Sequence, residues 1–434
     1  MHDSVYLISV LAVSILAFVG AILLPSRRYL AFLVGAILVT IIGIFSGRLQ
    51  ESDIWVSINV PVLTLIIALE IFAEALVLTG LPDGVIKALP KVSKDPLKIQ
   101  ILLVVLTYGL SLVINNLAAI IVMIPLTIRI SDYFSFEMKK FLPMLVIVSN
   151  LGGASTAIGD FPNILISQKT HIDFLDFLLY LGLPIVFFFL PASYFACYSY
   201  RKRLRLKSVD EQYLTLLRLA QKTKSGEPAK LRTGAAILWF LLFIGMIISF
   251  MIFKGNEALI AIFFCSAILL ANKSSDNIVK RVNIGVLVLF ASLFVIVGGL
   301  ISTGLFESLS TWLLDYSKDP IILSLALMWI ACLVTALFSA GPTTASLLPL
   351  TIALGQMIPG NIEWWSLSLG VLAGSSGTLI GATAGPVATS LYENHTGERF
   401  SFVDFGKISL PAMILYVFIG SIYVTILVNF QGTG

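Results

Sequence analysis

The fullest collection of ion-binding groups in the chain lies in SNLGGASTAIGDFPNILI, from Ser149 to Ile166. Asn150, Ser155, Thr156 and Asn163 supply neutral oxygens and amide donors, Asp160 a carboxylate, and Pro162 cannot continue an amide ladder. Gly152 and Gly153 allow close backbone approach and positive φ. The pattern reads as a helix that stops and restarts. In hydrocarbon, each backbone group freed by such a break costs on the order of a few kcal/mol unless something satisfies it. The break therefore asks for a ligand. Half-helix N-termini attract anions, while exposed carbonyls and half-helix C-termini attract sodium or another cation. A later stretch, AGSSGTLIGATAGPVATS, repeats the pattern with Ser375, Ser376, Thr378 and Thr383, and the two breaks are expected to face one cavity.

Hydrocarbon is the right reference, because 58% of the 434 residues are hydrophobic, 12% are charged and mean hydropathy is +0.98. Apolar runs of about 20 residues recur along the chain, separated by short charged loops. Spans are expected near 5–24, 29–46, 57–80, 142–168, 174–200, 234–253, 257–272, 284–308, 363–391 and 401–430. The first run lacks a basic region before it and a small-residue cleavage pattern after it, so it reads as a retained span. Segments 99–131 and 320–354 are long enough to cross but broken in the middle, which suits re-entrant hairpins. With hairpins, the basic loops all fall on one side: Arg27-Arg28, the stretch Lys87/Lys91/Lys94/Lys98, Lys139-Lys140, RKRLRLK from Arg201, and Lys280-Arg281. That side is the cytoplasm and both termini are external; in a prokaryote the membrane is the plasma membrane.

The organisation follows from an internal repeat. ALVLTGLP at Ala75 resembles GLISTGLF at Gly299, and IPLTI ending at Ile128 resembles LPLTI ending at Ile352, both at an offset of 224. STAIGDFPN from Ser155 faces GTLIGATAG from Gly377 at 222. An odd number of spans separates equivalent points, which inverts the second copy, and inverted repeats with broken helices mark secondary transporters. The domains are then N-terminal helices over 1–54, a first repeat over 55–200 with hairpin 99–131 and unwound segment 149–163, and a basic cytoplasmic linker over 201–233. The second half, 234–434, holds hairpin 320–354 and unwound segment 373–386. In the linker, EQYLTLLRLAQK is a helical stretch. The fold class is an all-α polytopic membrane protein with two inverted repeats. It has ten or eleven transmembrane helices plus two re-entrant hairpins, with broken helices at the midplane.

INNLAAIIVMIPLTI followed by SNLGGASTAIGDFPNILIS resembles the ion transporter superfamily. The likeness is to its branch of arsenite permeases, sodium/proton antiporters and the pink-eyed-dilution protein, which carries a citrate-transporter-like domain. Related divalent-anion/sodium symporters carry Ser-Asn-Thr at each hairpin tip, ten residues before a proline. Counting back from Pro125 and Pro349 gives Asn115-Asn116-Leu117 and Ser339-Ala340-Gly341. The resemblance implies that these tips, with Thr343 and Thr344 just beyond the second, and the two unwound segments bind substrate and coupling ion. It also implies a homodimer. Where the pink-eyed-dilution branch has aspartate-asparagine at both tips, this chain has Asn115-Asn116 and Ser339-Ala340, which cannot carry a proton. Sodium coordination by Asn116, Asn150 and backbone carbonyls is compatible with them.

Asp160 is the acidic residue tied to a break, and it reads either as an ion or proton site or as a helix cap. Glu70 and Glu74 lie one turn apart on a single face and form a second candidate proton site. His171 and His395 read as solvated loop residues. Cys197, Cys265 and Cys332 are isolated, without metal or redox spacing. No lysine or arginine falls at the breaks, so an anion there would be held by helix N-termini, hydroxyls, amides and a bound cation. The breaks contain no HExxH, GxSxG or paired catalytic aspartates, so no enzyme is expected. The reading is an ion-coupled secondary transporter of a small anion or oxyanion, with sodium/proton antiport or a channel as rivals. No cofactor is expected beyond a coupling sodium or proton; the partners are a small ion and the lipid bilayer, with no nucleic acid.

Overall fold

The computed structural model describes residues 2–24, 27–80, 95–134, 136–170, 172–194, 232–253, 257–272, 275–282 and 284–431. Lys87, Lys91, Lys94, His171, Cys197 and nearly all of the linker with EQYLTLLRLAQK lie outside these residues, as does the side chain of His395. Among the described residues every regular element is helical.

Helices α1 (His2–Leu23) and α2 (Arg28–Phe45) pack closely because glycines face alanines: a Cβ on Gly35 would stand 2.6 Å from that of Ala17. A short α3 (Glu51–Ser57) leads into α4 (Val60–Leu78), which is apolar around most of its circumference. Next come α5 (Pro96–Val113) and α6 (Asn116–Phe134), then α7 (Met138–Ala154) and α8 (Phe161–Lys169). Helix α9 begins at Phe174–Phe177 and continues through π-helical turns at Leu178–Gly182 and Ile185–Phe189. These flank Pro184, whose missing N–H disturbs the regular ladder.

After α10 (Thr233–Ile252), α11 (Glu257–Ala271) and the short α12 (Ser275–Arg281), a similar order returns. It runs α13 (Ile284–Ile301), α14 (Leu305–Tyr316), α15 (Pro320–Phe338), α16 (Ala340–Leu354), α17 (Ile362–Gly377), α18 (Ala384–Thr396) and α19 (Phe402–Gln431). The two hairpins, α5–α6 and α15–α16, begin identically. Asp95 accepts from the Leu97 N–H at 2.9 Å and Asp319 from the Ile321 N–H at 2.8 Å, each with proline at the first helical position. Their second legs carry Pro125 and Pro349.

Six described helices are long and apolar enough to cross a membrane, and shorter apolar helices complete the bundle. Two of the expected spans are in fact pairs: 142–168 divides into α7 and α8, and 363–391 into α17 and α18. Long-range contacts tie other helices of the bundle together. Trp239 of α10 donates its indole N–H to the Phe72 carbonyl of α4 at 2.8 Å, and Lys139 at the start of α7 pairs with Asp404 at the start of α19 at 3.5 Å. Cys265 and Cys332 are buried and free.

Candidate functional site

The first break is narrower than its sequence suggests. Residues 149–154 stay helical, and only 155–160 leave the helix before α8 begins. Gly152 and Gly153 therefore do not take positive φ; the glycines that do are Gly47, Gly80, Gly304, Gly360 and Gly397. They serve close approach instead. A Cβ on Gly152 would meet the Tyr108 carbonyl at 2.6 Å, and one on Gly153 the Gly159 carbonyl at 2.8 Å.

Side chains satisfy the freed backbone. Asn163 donates to the carbonyls of Ala154 and Thr156, both at 2.9 Å, and accepts from Ser368 of α17 at 3.0 Å. Ser155 donates to the Leu151 carbonyl and lies 2.9 Å from the Tyr108 hydroxyl. Thr156 donates to the Leu112 carbonyl at 3.1 Å. Asn115 caps the start of α6, accepting from the Ala118 N–H at 2.8 Å.

Each hairpin tip is stitched to its break by the same two bonds. In the first half the Asn116 N–H donates to the Gly159 carbonyl at 3.2 Å, alongside the Thr156 bond. In the second half the Ala340 N–H donates to the Gly381 carbonyl at 3.0 Å, and Thr378 to the Ala336 carbonyl at 2.6 Å. Tip residues recur at an offset of 224 and break residues at 222, the two spacings of the sequence repeat. The tips are closed differently. Ser339 takes φ 81° and makes no side-chain cap bond.

Between the halves, Asn116, Asn150 and Asp160 form one network. Asn116 Nδ2 donates to Asn150 Oδ1 at 3.1 Å and to Asp160 Oδ2 at 3.3 Å, while Asn150 Nδ2 reaches across to the Ser375 carbonyl at 3.1 Å. Asp160 Oδ1 accepts from the Phe161 N–H at 2.8 Å. The carboxylate thus caps α8 and also belongs to the network. Asn116 Oδ1 is buried and has no partner. A cavity of about 40 Å³, room for roughly three waters, opens beside Asn116 and Asp160. Its far side is Ser339, Ala340, Gly341, Pro342 and Thr383, and its apolar walls include Phe18, Phe32, Phe161, Phe290 and Phe338.

The structure brings Asn116, Asn150, Asp160, Ser339 and Thr383 to this centre. Thr343 and Ser376 are buried with unpartnered hydroxyls, while Thr344 bonds the Ala340 carbonyl and Ser375 the Leu372 carbonyl. Glu70 is buried on α4 and Glu74 half-buried; neither lines the cavity. Sequence reasoning missed Ser111, which holds the Ser149 carbonyl at 2.6 Å, and Ser368. Nothing in their neighbourhood sets them apart from other serines in apolar helices.

A family model described as "Citrate transporter" matches residues 6–370. Magnetosome protein MamN of Magnetospirillum gryphiswaldense is 27% identical over 433 residues, covering 96% of this chain and 98% of the relative. A 46 kDa membrane protein of Mycobacterium leprae is 24% identical over 96% of this chain and 98% of its own length. An uncharacterized transporter of Mycobacterium tuberculosis is 25% identical over 96% and 97%. The crystal structure of the Alcanivorax borkumensis YdaH transporter, described as revealing an unusual topology, shares the fold at TM-score 0.56. It has 13% identity and the match covers 86% of this chain and 85% of that one. With broken helices, paired hairpins and the family match in agreement, the chain belongs to the citrate transporter family and is a multi-pass membrane transporter.

Proposed function

We infer that the protein is an ion-coupled secondary transporter that moves a small anion, a carboxylate or oxyanion, together with a cation. The observation that carries this is the setting of Asp160. Its carboxylate is buried and held by two neutral donors, and no lysine, arginine or histidine among the described residues pairs with it. An uncompensated buried charge costs several kcal/mol, so the site calls for a cation or a proton. Asn116 Oδ1 supplies a further unclaimed oxygen beside it. An anion entering the cavity meets this carboxylate and no basic lining residue, so it must arrive with its counter-charge. The half-helix N-termini of α6, α8, α16 and α18 converge there and favour its negative end. The family description supports a carboxylate; the likeness of the first break to arsenite permeases supports an oxyanion of similar size. Transport follows from movement of the hairpin-bearing helices against the remaining scaffold.

The test is purified protein in liposomes holding a pH-sensitive dye, supplied with radiolabelled citrate under sodium or proton gradients. Saturable, gradient-driven citrate uptake is expected, falling at least roughly hundredfold in Asp160→Asn, equivalent to about 3 kcal/mol. Sodium-driven proton movement without any anion, lost in Asp160→Asn, would replace this reading with sodium/proton antiport. Non-saturating ohmic current would make the protein a channel.

A further inference from the structure

The end of α17 remote from the central cavity holds another buried carboxylate. Glu363, in the first turn of α17, is 6% exposed, and its Oε2 has no hydrogen-bond partner. The side chain is pressed beneath the turn that follows α16: a Cβ built on Gly355 would lie 2.9 Å from Glu363 Oε1. That turn continues to Gly360 and Asn361, with φ of 66° and 62°, where Gln431 at the end of α19 packs against it. Gln431 Oε1 is also buried without a partner.

Two hydroxyls extend the same pocket of unmet hydrogen bonding. Ser366 lies one turn along the Glu363 face of α17, fully buried and unpartnered. Helices α15 and α17 run in parallel register, with Gly370 against the Met328 carbonyl and Gly374 against the Cys332 carbonyl, an offset of 42 residues. Ser324 therefore falls in the layer of Ser366, and its buried hydroxyl is unpartnered too. The groups facing the carboxyl, its own backbone N–H and the Trp364 side chain, are neutral. Among titratable groups on the packed elements, Asp319 of the α15 start is committed to capping Ile321, and Tyr423 of α19 donates to the Tyr180 carbonyl. No described lysine, arginine or histidine pairs with Glu363, and α16 carries no charged residue.

We propose that Glu363 is a proton-binding site, separate from the central cavity, with Ser366 and Ser324 as its hydrogen-bonding partners through a shared water. A buried carboxylate without a counter-ion is unfavourable by several kcal/mol, whereas a protonated one is neutral and becomes a donor. One proton on Oε2 and one water satisfy the carboxyl and both hydroxyls. Losing the proton requires water to reach the carboxylate, which means lifting the 355–361 turn from the ends of α17 and α19. The first half has nothing equivalent: Phe141 and Met144 stand at the positions of Glu363 and Ser366 in the 222-residue repeat. This site stands whether or not the transported anion is a carboxylate.

Infrared difference spectroscopy of the protein in lipid nanodiscs, between acid and alkaline pH, tests it without any substrate. A carbonyl band of a buried protonated carboxylic acid should bleach as pH rises, disappear in Glu363→Gln and persist in Asp160→Asn. Ser366→Ala should displace the band, because the carboxyl loses a hydrogen-bonding neighbour, and this holds as a test if Glu363→Gln does not fold. An unchanged titrating band in folded Glu363→Gln, or an undisplaced one in Ser366→Ala, overturns the proposal.

Discussion

At the first break Asn163 ties the open loop to two carbonyls and to Ser368, whereas at the second the equivalent residue is Gly385. A Cβ on Gly385 would collide with the Leu379 carbonyl, so backbone fills the place of the Asn163 amide there, and the Thr378 hydroxyl accepts from the Gly381 N–H. Asp160 has Ala382 as its counterpart, Asn116 has Ala340, and Asn115 has Ser339. The stitching bonds between tip and break are nonetheless the same in both halves. One backbone plan is thus finished with amides and a carboxylate on one side, and with hydroxyls and glycines on the other. On the function proposed above, the first half would take the cation, beside oxygens that are already positioned. The second would then take the anion, whose oxygens can accept from hydroxyls that have no partner among the described residues.

The largest effect expected from breaking this contrast is at Asn163. Asn163→Ala removes three hydrogen bonds at a position 1% exposed, stranding the Ala154 carbonyl and the Ser368 hydroxyl and leaving the Thr156 carbonyl only the 3.5 Å bond from the Gly159 N–H. Each buried group left unmet costs about 1–3 kcal/mol, so a loss of roughly 3 kcal/mol or more is expected in reversible unfolding from lipid-detergent micelles. A loss below about 1 kcal/mol would show that water replaces the amide, and that the first break is no more rigid than the second.

Much of this architecture was legible in the sequence, because helices in hydrocarbon must satisfy their own backbones and any interruption has to be written in glycine, proline and polar residues. The hairpins, both breaks and the 224 and 222 spacings follow from that constraint. The exact extent of a break does not, since Asn150, Gly152 and Gly153 fit a helix as readily as a loop. Which polar groups meet depends on helix rotation, and rotation is set by contacts between distant segments. Hence Asn150 reaching Ser375, and Ser368 reaching Asn163, had no local signal. Glu363 carries no local signal for a related reason: it sits near a helix end, where a carboxylate is ordinarily solvated, and the packing of Gly355 over it is what buries it.

A smaller effect tests whether the shared plan is held equally tightly. Gly152→Ala would drive a methyl against the Tyr108 carbonyl and to 2.8 Å from the Ser111 Cβ; Gly374→Ala would place one 2.7 Å from the Thr335 Cβ. Overpacking of this kind costs about 1–3 kcal/mol, and both substitutions should fall in that range by the same unfolding measurement. If only one destabilises, the two hairpins do not lean on their partner helices alike, and the second half's looser hydrogen bonding extends to its packing.

The smallest expected change in stability is the sharpest test of the proposed division between cation and anion. Thr343→Val and Ser376→Ala each delete a buried hydroxyl that has no partner, so folding should be unchanged or slightly favoured. Thr378→Val is the control: its hydroxyl donates to the Ala336 carbonyl and accepts from the Gly381 N–H at 3.0 Å. Its removal should cost about 1–3 kcal/mol. If the unpartnered hydroxyls serve the anion, Thr343→Val and Ser376→Ala should instead weaken citrate binding about tenfold each, near 1.4 kcal/mol, with the maximal rate preserved. Substitutions that cost stability as Thr378→Val does would place these hydroxyls in the scaffold. Substitutions that alter neither stability nor affinity would move the anion out of the second half, and the two breaks would then differ in how they are held shut and not in what they bind.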